Sequence, residues 1–158
     1  MKVGDTVADF VLPDERGIPR RLTGLLRDGP VVLFFYPGAF TKGCTAQACR
    51  FRDVSADFRA AGARPVGVSS DLVERQAEFA QAYALGFPLL SDPDGEVRAR
   101  FGVRRTSGPW PTKRVTFVID VDRRVLAVIR SEMRMNAHAD TALEVIRRRR
   151  RPFSWWHS

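Results

Sequence analysis

The chain is expected to fold as an α/β domain: a mixed central β-sheet flanked by helices, with an N-terminal β-hairpin. Three observations carry this. Val31 to Tyr36 is an unbroken β-branched and aromatic run, as in a strand buried on both faces. Helical and strand periodicities alternate after it, and a second pair of strands precedes a closing helix. The 158 residues, 44% of them hydrophobic, suffice for one substantial core.

Phe10 to Leu12 and Ile18 to Leu22 flank the turn-forming stretch Pro13 to Gly17 and read as the hairpin. Beyond the central strand, a helix fits Thr41 to Ala61. At 100° per residue it places Cys44, Phe51, Val54 and Phe58 on one stripe, and Gly62 stops it. Pro65 to Ser69 is the next strand. Asp71 with Glu74 three residues later resembles a capping box, opening a helix that runs to Gly86. A short strand at Pro88 to Leu90, a short helix at Gly95 to Phe101 and an irregular loop at Gly102 to Lys113 follow. Val115 to Asp120 and Val125 to Arg130 form the second strand pair. The last helix is expected to start with Asn136 as N-cap, to turn Ala139, Leu143 and Ile146 inward and to end at Pro152. A thioredoxin-like sandwich is the simplest fold with this order.

The formal charge of +8 is mostly contributed by Arg147 to Arg151, so the chain divides into a domain at 1–146 and a basic, aromatic tail at 147–158. No apolar block near Met1 resembles a leader, and no run is long enough to span a membrane; a soluble, cytoplasmic protein is expected. In that compartment thiols are kept reduced, so two cysteines close in sequence point to chemistry rather than to a structural staple.

Those two, Cys44 and Cys49, lie in "YPGAFTKGCTAQACRFRD", residues 36–53. Cys44 falls in the first turn of the expected helix, where unpaired amides and the positive end of the helix dipole favour a thiolate. Cys49 lies about 140° around the helix and about 7.5 Å further along its axis. A disulfide requires Cα atoms within about 7 Å and converging Cβ vectors, so this pair can join only if the first turns unwind. Such spacing suits two thiols held apart while the first is oxidised to a sulfenic acid, which the second then captures. The alternative is that both are small core residues. Thr41 stands at N-cap distance, its hydroxyl expected on the Cys44 amide. Pro37, Gly38 and Gly43 shape the turn, and glycine at 43 permits close backbone approach to a ligand.

Pro37-x-x-x-Thr41-x-x-Cys44 resembles the peroxiredoxin active-site motif. Cys44-x4-Cys49 is similar to the Prx Q, or bacterioferritin comigratory protein, subfamily of the AhpC/TSA superfamily. "FPLLSDPDGEV" (87–97) and "RVTFVID" (114–120) resemble the same family, in the same order, and the likeness spans roughly residues 3–146. It implies a thioredoxin fold and a thiol peroxidase acting on hydrogen peroxide or alkyl hydroperoxides. It implies Cys44 as peroxidatic and Cys49 as resolving cysteine, Arg114 as the active-site arginine, and Thr41 and Pro37 as residues shaping the peroxide pocket. The Gly43 amide, Phe40 and Trp110 are further candidates for lining or closing that pocket. No metal, flavin or haem is implied, and the reductant is a dithiol, usually thioredoxin. Lys42 and Gln47 depart from the subfamily's usual proline and frequent glutamate; Lys42 adds a positive charge near the sulfur.

A redox sensor that binds partners without sustained turnover is the competing function. The resolving thiol lies in the same helix, so a monomer or weak homodimer suffices. His138 is expected at the surface and His157 in the tail, too far apart in sequence for a Cys2His2 zinc site. The arginines of the tail are expected to complement a helix end rather than to hold nucleic acid or a membrane, with Trp155 and Trp156 folded back.

Overall fold

The computed structural model describes residues 1–105, 107–108, 111–132 and 134–154, with side chains through Arg149. The hairpin is β1 (Val11–Pro13) and β2 (Pro19–Arg21), antiparallel with Val11 opposite Arg21. A short helix α1 (Leu22–Leu25) and a 3-10 turn (Leu26–Asp28) follow; the expected hairpin had absorbed Leu22. Leu22, Leu25 and Leu26 are buried, so packing turns this segment into a cap over one face of the sheet.

The five-stranded sheet consists of β3 (Val31–Phe35), β4 (Arg64–Ser69), β5 (Leu89–Ser91), β6 (Val115–Ile119) and β7 (Val125–Arg130). Their order is β5-β4-β3-β6-β7, with β3 central. Strands β3, β4 and β5 pair in parallel, and β6 runs antiparallel to both its neighbours, β3 and β7, giving the expected mixed sheet. All five residues of β3 are buried, as a strand covered on both faces requires.

Two cores result. Val32, Phe34 and Tyr36 point toward α2 (Lys42–Asp53), α3 (Ser55–Ala60), α4 (Val73–Ala82) and α6 (Met135–Ser154). Val31, Leu33 and Phe35 point toward α1, the hairpin and α5 (Glu96–Arg100). Phe34 stacks on Phe51 with ring centroids 4.2 Å apart and planes 11° from parallel. Gly67 on β4 makes room for that ring: a Cβ there would lie 2.9 Å from the Phe34 ring and 2.8 Å from Leu89.

Three local expectations give way. The single helix over 41–61 is broken at Val54 (φ −105°, ψ 11°). Ser55 Oγ donates to the Phe51 carbonyl at 2.9 Å, and such back-bonding bends helices. Asp71 caps nothing: α4 begins after Leu72, and the Asp71 carboxylate turns instead to the Ala39 amide and the Ser69 hydroxyl. The last helix begins at Met135, one residue before the expected N-cap Asn136, and continues through Pro152 to Ser154, at the cost of the bond that proline cannot donate. Ala139, Leu143 and Ile146 face inward as expected.

Arg147 and Arg149 lie along α6 and pair with Asp57 at 3.7 Å and Asp120 at 2.8 Å. Trp155, Trp156 and His157 lie outside the described residues. No helix among the described residues is long and apolar enough to cross a membrane.

Candidate active site

The carboxyl end of β3 delivers Tyr36 and Pro37 to a loop that enters α2 at Thr41, so the first turn of α2 sits over the sheet's central strand. Cys44 lies in that turn and is buried at 1% exposure. The amides of Lys42, Gly43 and Cys44 have no hydrogen-bond partner among the described residues; the first intrahelical bond is from Thr45 N–H to the Thr41 carbonyl at 2.8 Å. These donors and the helix dipole converge at the Cys44 end of the helix.

Arg114 approaches from β6, immediately before Val115. Its side chain is 6% exposed, its Nη2 donates to Cys44 Sγ at 3.3 Å, and its Nη1 donates to Gln47 Oε1 at 2.5 Å. No carboxylate among the described residues lies within ion-pair distance of this guanidinium, so its charge is directed at the sulfur. Glu132 Oε1 accepts the Arg114 backbone N–H at 3.2 Å while pairing with Arg105 at 2.9 Å, fixing the strand end that carries the arginine. Gln47 Nε2 and Arg114 Nε are buried without a partner among the described residues, leaving two donors beside the thiol. A cleft of ≈ 320 Å³ opens beside the arginine, lined by Lys113, Val115, Arg130, Ser131 and Glu132.

Gly43 leaves room for this approach. A Cβ on it would lie 3.0 Å from Arg114 Nη2 and 3.5 Å from Met135 Sδ, closer than van der Waals contact allows for the arginine. Thr41 is the N-cap of α2 by backbone geometry, but its hydroxyl donates to the Gly38 carbonyl at 2.9 Å rather than meeting the Cys44 amide. The hydroxyl proton is engaged within the loop, and its oxygen keeps lone pairs to offer. Phe40 adopts φ +66°, a left-handed conformation costly for a bulky residue, and its ring packs on Phe79 and Tyr83 with the Arg75 guanidinium 4.3 Å above it. Trp110 lies outside the described residues.

Cys49 is half-buried on the outer side of α2, and both thiols are free with the helix intact between them. Sequence reasoning therefore named three residues that meet, Cys44, Arg114 and Gly43, and Thr41, which opens the same turn with its hydroxyl on Gly38. It singled out Gln47 only as a departure, although a residue three positions after Cys44 shares its helix face. It missed Met135 and misplaced His138, which is fully buried. His138 Nε2 donates to the Ser131 carbonyl at 2.7 Å, so in the neutral ring Nδ1 accepts from Thr116 Oγ1 at 2.8 Å. Burial holds this imidazole below its ordinary basicity, the Ser131 bond opposes that, and the Arg114 charge adds to it. No grouping of three or more His, Cys, Asp or Glu side chains that could hold a metal occurs among the described residues.

The site is thus a free thiol at a helix N-terminus under a buried arginine, with a second thiol five residues further along the same helix. The profile of the AhpC/TSA family matches residues 3–128. Peroxiredoxin Q of Sedum lineare chloroplasts is 38% identical over 143 residues, covering 90% of this chain and 76% of that protein. The crystal structure of the peroxidoxin BcpB from Mycobacterium tuberculosis is 58% identical and superposes with a TM-score of 0.91, covering 95% of this chain and 99% of that one. The Xanthomonas campestris bacterioferritin comigratory protein, solved as trapped intermediate and ligand complexes bearing on alkyl peroxide reduction, is 25% identical with a TM-score of 0.82, over 92% and 99% of the two chains. Fold, motif and matched length agree, and the chain belongs to the AhpC/TSA family as a peroxiredoxin of the Prx Q and Bcp type, a thiol-dependent peroxidase.

Proposed function

We propose that Cys44 is the peroxidatic cysteine, Cys49 the resolving cysteine and Arg114 the group that activates both sulfur and peroxide. The observation that carries this reading is the 3.3 Å contact of Arg114 Nη2 with Cys44 Sγ beneath the open amides of α2. The Cys44 thiolate attacks one peroxide oxygen, forming an S–O bond as the O–O bond breaks. The departing alkoxide or hydroxide takes a proton and leaves as alcohol or water. Negative charge moves from sulfur onto the leaving oxygen, so fixed donors that serve both atoms lower the barrier without reorganising. Arg114 and the Gly43 and Cys44 amides are such donors. Thr41 Oγ1, its own proton held by Gly38, accepts the hydrogen of the incoming hydroperoxide. Pro37, Gly43 and Phe40 shape the wall of the pocket.

The resulting sulfenic acid at Cys44 condenses with the Cys49 thiol, releasing water and leaving an intramolecular disulfide. Because the helix holds these residues apart, the first turns of α2 open before the bond forms. A dithiol such as thioredoxin then reduces the disulfide and is itself oxidised. A cytosol, where thiols are kept reduced, supplies such a partner. Hydrogen peroxide and alkyl hydroperoxides are both substrates in this reading, the latter supported by the Xanthomonas relative. Residues 1–146 carry the activity and 147–158 form a dispensable extension.

The test is peroxide consumption coupled to thioredoxin, thioredoxin reductase and NADPH. Sustained turnover in the wild type, none in Cys44→Ser and a stall after one oxidation in Cys49→Ser are expected. A single stoichiometric oxidation of the wild type under all dithiols would overturn the catalytic cycle in favour of a sensor.

A further inference from the structure

The loop from Pro37 to Phe40 carries the strained residue of the site, and its support comes from the neighbouring strand β4 and helix α4. Tyr36, Ser69 and Gln76 are completely buried beneath it and do no chemistry in the cycle above. Burial pushes the Tyr36 phenol far up, so it stays neutral and donates to Gln76 Oε1 at 2.5 Å. That bond orients the amide, whose Nε2 then donates to Ser69 Oγ at 3.0 Å and to the Leu90 carbonyl at 2.9 Å. Ser69 Oγ also accepts the Asp71 N–H at 3.1 Å. With its lone pairs so engaged, the Ser69 hydroxyl proton goes to Asp71 Oδ2 at 2.7 Å. The same carboxylate oxygen accepts the Ala39 N–H at 2.8 Å. Every donor and acceptor role in this chain is determined by the one before it, and the chain ends on an amide of the peroxide loop.

Ala39 directly precedes Phe40, whose left-handed backbone persists only where its surroundings over-determine it. Three residues in and around α4 do so: Asp71 from the backbone side, and Phe79 and Tyr83 from the ring side. Gly38, on the other side of Ala39, accepts the Thr41 hydroxyl. The Asp71 tether therefore sets where the Gly38 carbonyl stands, and through it where Thr41 Oγ1 points.

We infer that Asp71 is a positioning residue for peroxide reduction: through the Ala39 amide it holds the Pro37–Thr41 loop so that the Thr41 oxygen faces the peroxide above Cys44. This rests on the roles proposed for Cys44 and Thr41. It goes beyond them because Asp71 touches neither sulfur nor substrate and acts on the oxidation step alone.

The test is single-turnover oxidation of reduced protein by hydrogen peroxide, followed by stopped flow, with iodoacetamide alkylation of Cys44 as reference. Alkylation needs the thiolate but not the peroxide cradle. Asp71→Ala is expected to lower the second-order constant for peroxide by about tenfold or more, the scale of one charge-assisted hydrogen bond, with alkylation within about twofold. Asp71→Asn keeps an oxygen able to accept both protons and is expected within about threefold of wild type. Ser69→Ala, which leaves the loop and carboxylate in place but removes the hydroxyl that orients Asp71, supplies a second arm, expected about threefold down or more. Equal losses in Asp71→Ala and Asp71→Asn, a parallel fall in alkylation, or unchanged peroxide rates in both Asp71→Ala and Ser69→Ala would overturn the inference. Absence of any peroxide reaction in the wild type would instead reject the cysteine assignment itself.

Discussion

Gly43→Ala separates the stability of α2 from the chemistry at its first turn. Glycine costs a helix interior about 1 kcal/mol relative to alanine, less near an end, so the variant should fold at least as stably as the wild type. The added Cβ, however, would stand 3.0 Å from Arg114 Nη2 and 3.7 Å from Arg114 Cζ. Ordinary contact needs about 3.4 Å or more, so the guanidinium retreats by a few tenths of an ångström. It has little freedom to do so in place, being held by Gln47 at one nitrogen and by Cys44 Sγ at the other, with Met135 Sδ 3.5 Å from the same Cβ. Lengthening the 3.3 Å bond to sulfur forfeits much of a charged hydrogen bond, about 1.5–3 kcal/mol, or roughly 10- to 100-fold in rate. The assay is stopped-flow oxidation by peroxide beside thermal unfolding of the same sample. An unchanged or raised Tm with a tenfold or greater fall in peroxide rate is expected. Wild-type peroxide reactivity in Gly43→Ala would refute the claim that arginine proximity at this amide limits the reaction.

His138, buried with lowered basicity, binds its proton less readily folded than unfolded. Stability should therefore be complete above pH 6.5 and fall as pH drops below it, by at most about 1.4 kcal/mol per pH unit, and chemical denaturation of His138→Gln should show a flatter profile across that range. Asp92 and Arg98 form an ion pair with 2% and 4% exposure, and Arg98 also holds the Pro111 carbonyl and Thr112 hydroxyl. Arg98→Met leaves the carboxylate uncompensated and should cost about 3–5 kcal/mol in urea unfolding. Arg50 and Asp140 join α2 to α6 at 2.9 Å but are exposed, so a double-mutant cycle should return no more than about 1 kcal/mol, and a larger coupling would contradict that reading. Lys42 is exposed at the start of α2; Lys42→Ala should slow Cys44 alkylation slightly at low salt and leave it unchanged at 1 M salt.

By itself the sequence determined the order of the elements and the buried central strand, and it offered the candidate residues for the reaction. Local patterns carry that information: a β-branched run needs two covered faces, and a thiol seven residues after the proline that ends a strand falls at a helix N-terminus. The stretch "RVTFVID" named Arg114, 70 positions from Cys44, by likeness to a family, where periodicity alone could not. Tertiary structure decided which way side chains with several options turned. Asp71 had an acceptable local use as a helix cap, yet the strained loop supplied an amide it reaches at 2.8 Å. The Thr41 hydroxyl turned to donate to the Gly38 carbonyl instead of accepting an amide of the helix it begins. His138, polar and early in a helix, looked solvent-exposed until the fold placed Thr116 and the Ser131 carbonyl on its two nitrogens. Ser55 broke a helix whose apolar stripe continues unbroken through Phe58. Asp71 and His138 thus took partners brought by the fold, whereas Thr41 and Ser55 settled on carbonyls three and four residues back in the chain. That choice depends on distances no local pattern contains, because a buried polar group is stabilised by whichever partner leaves the fewest donors and acceptors unpaired.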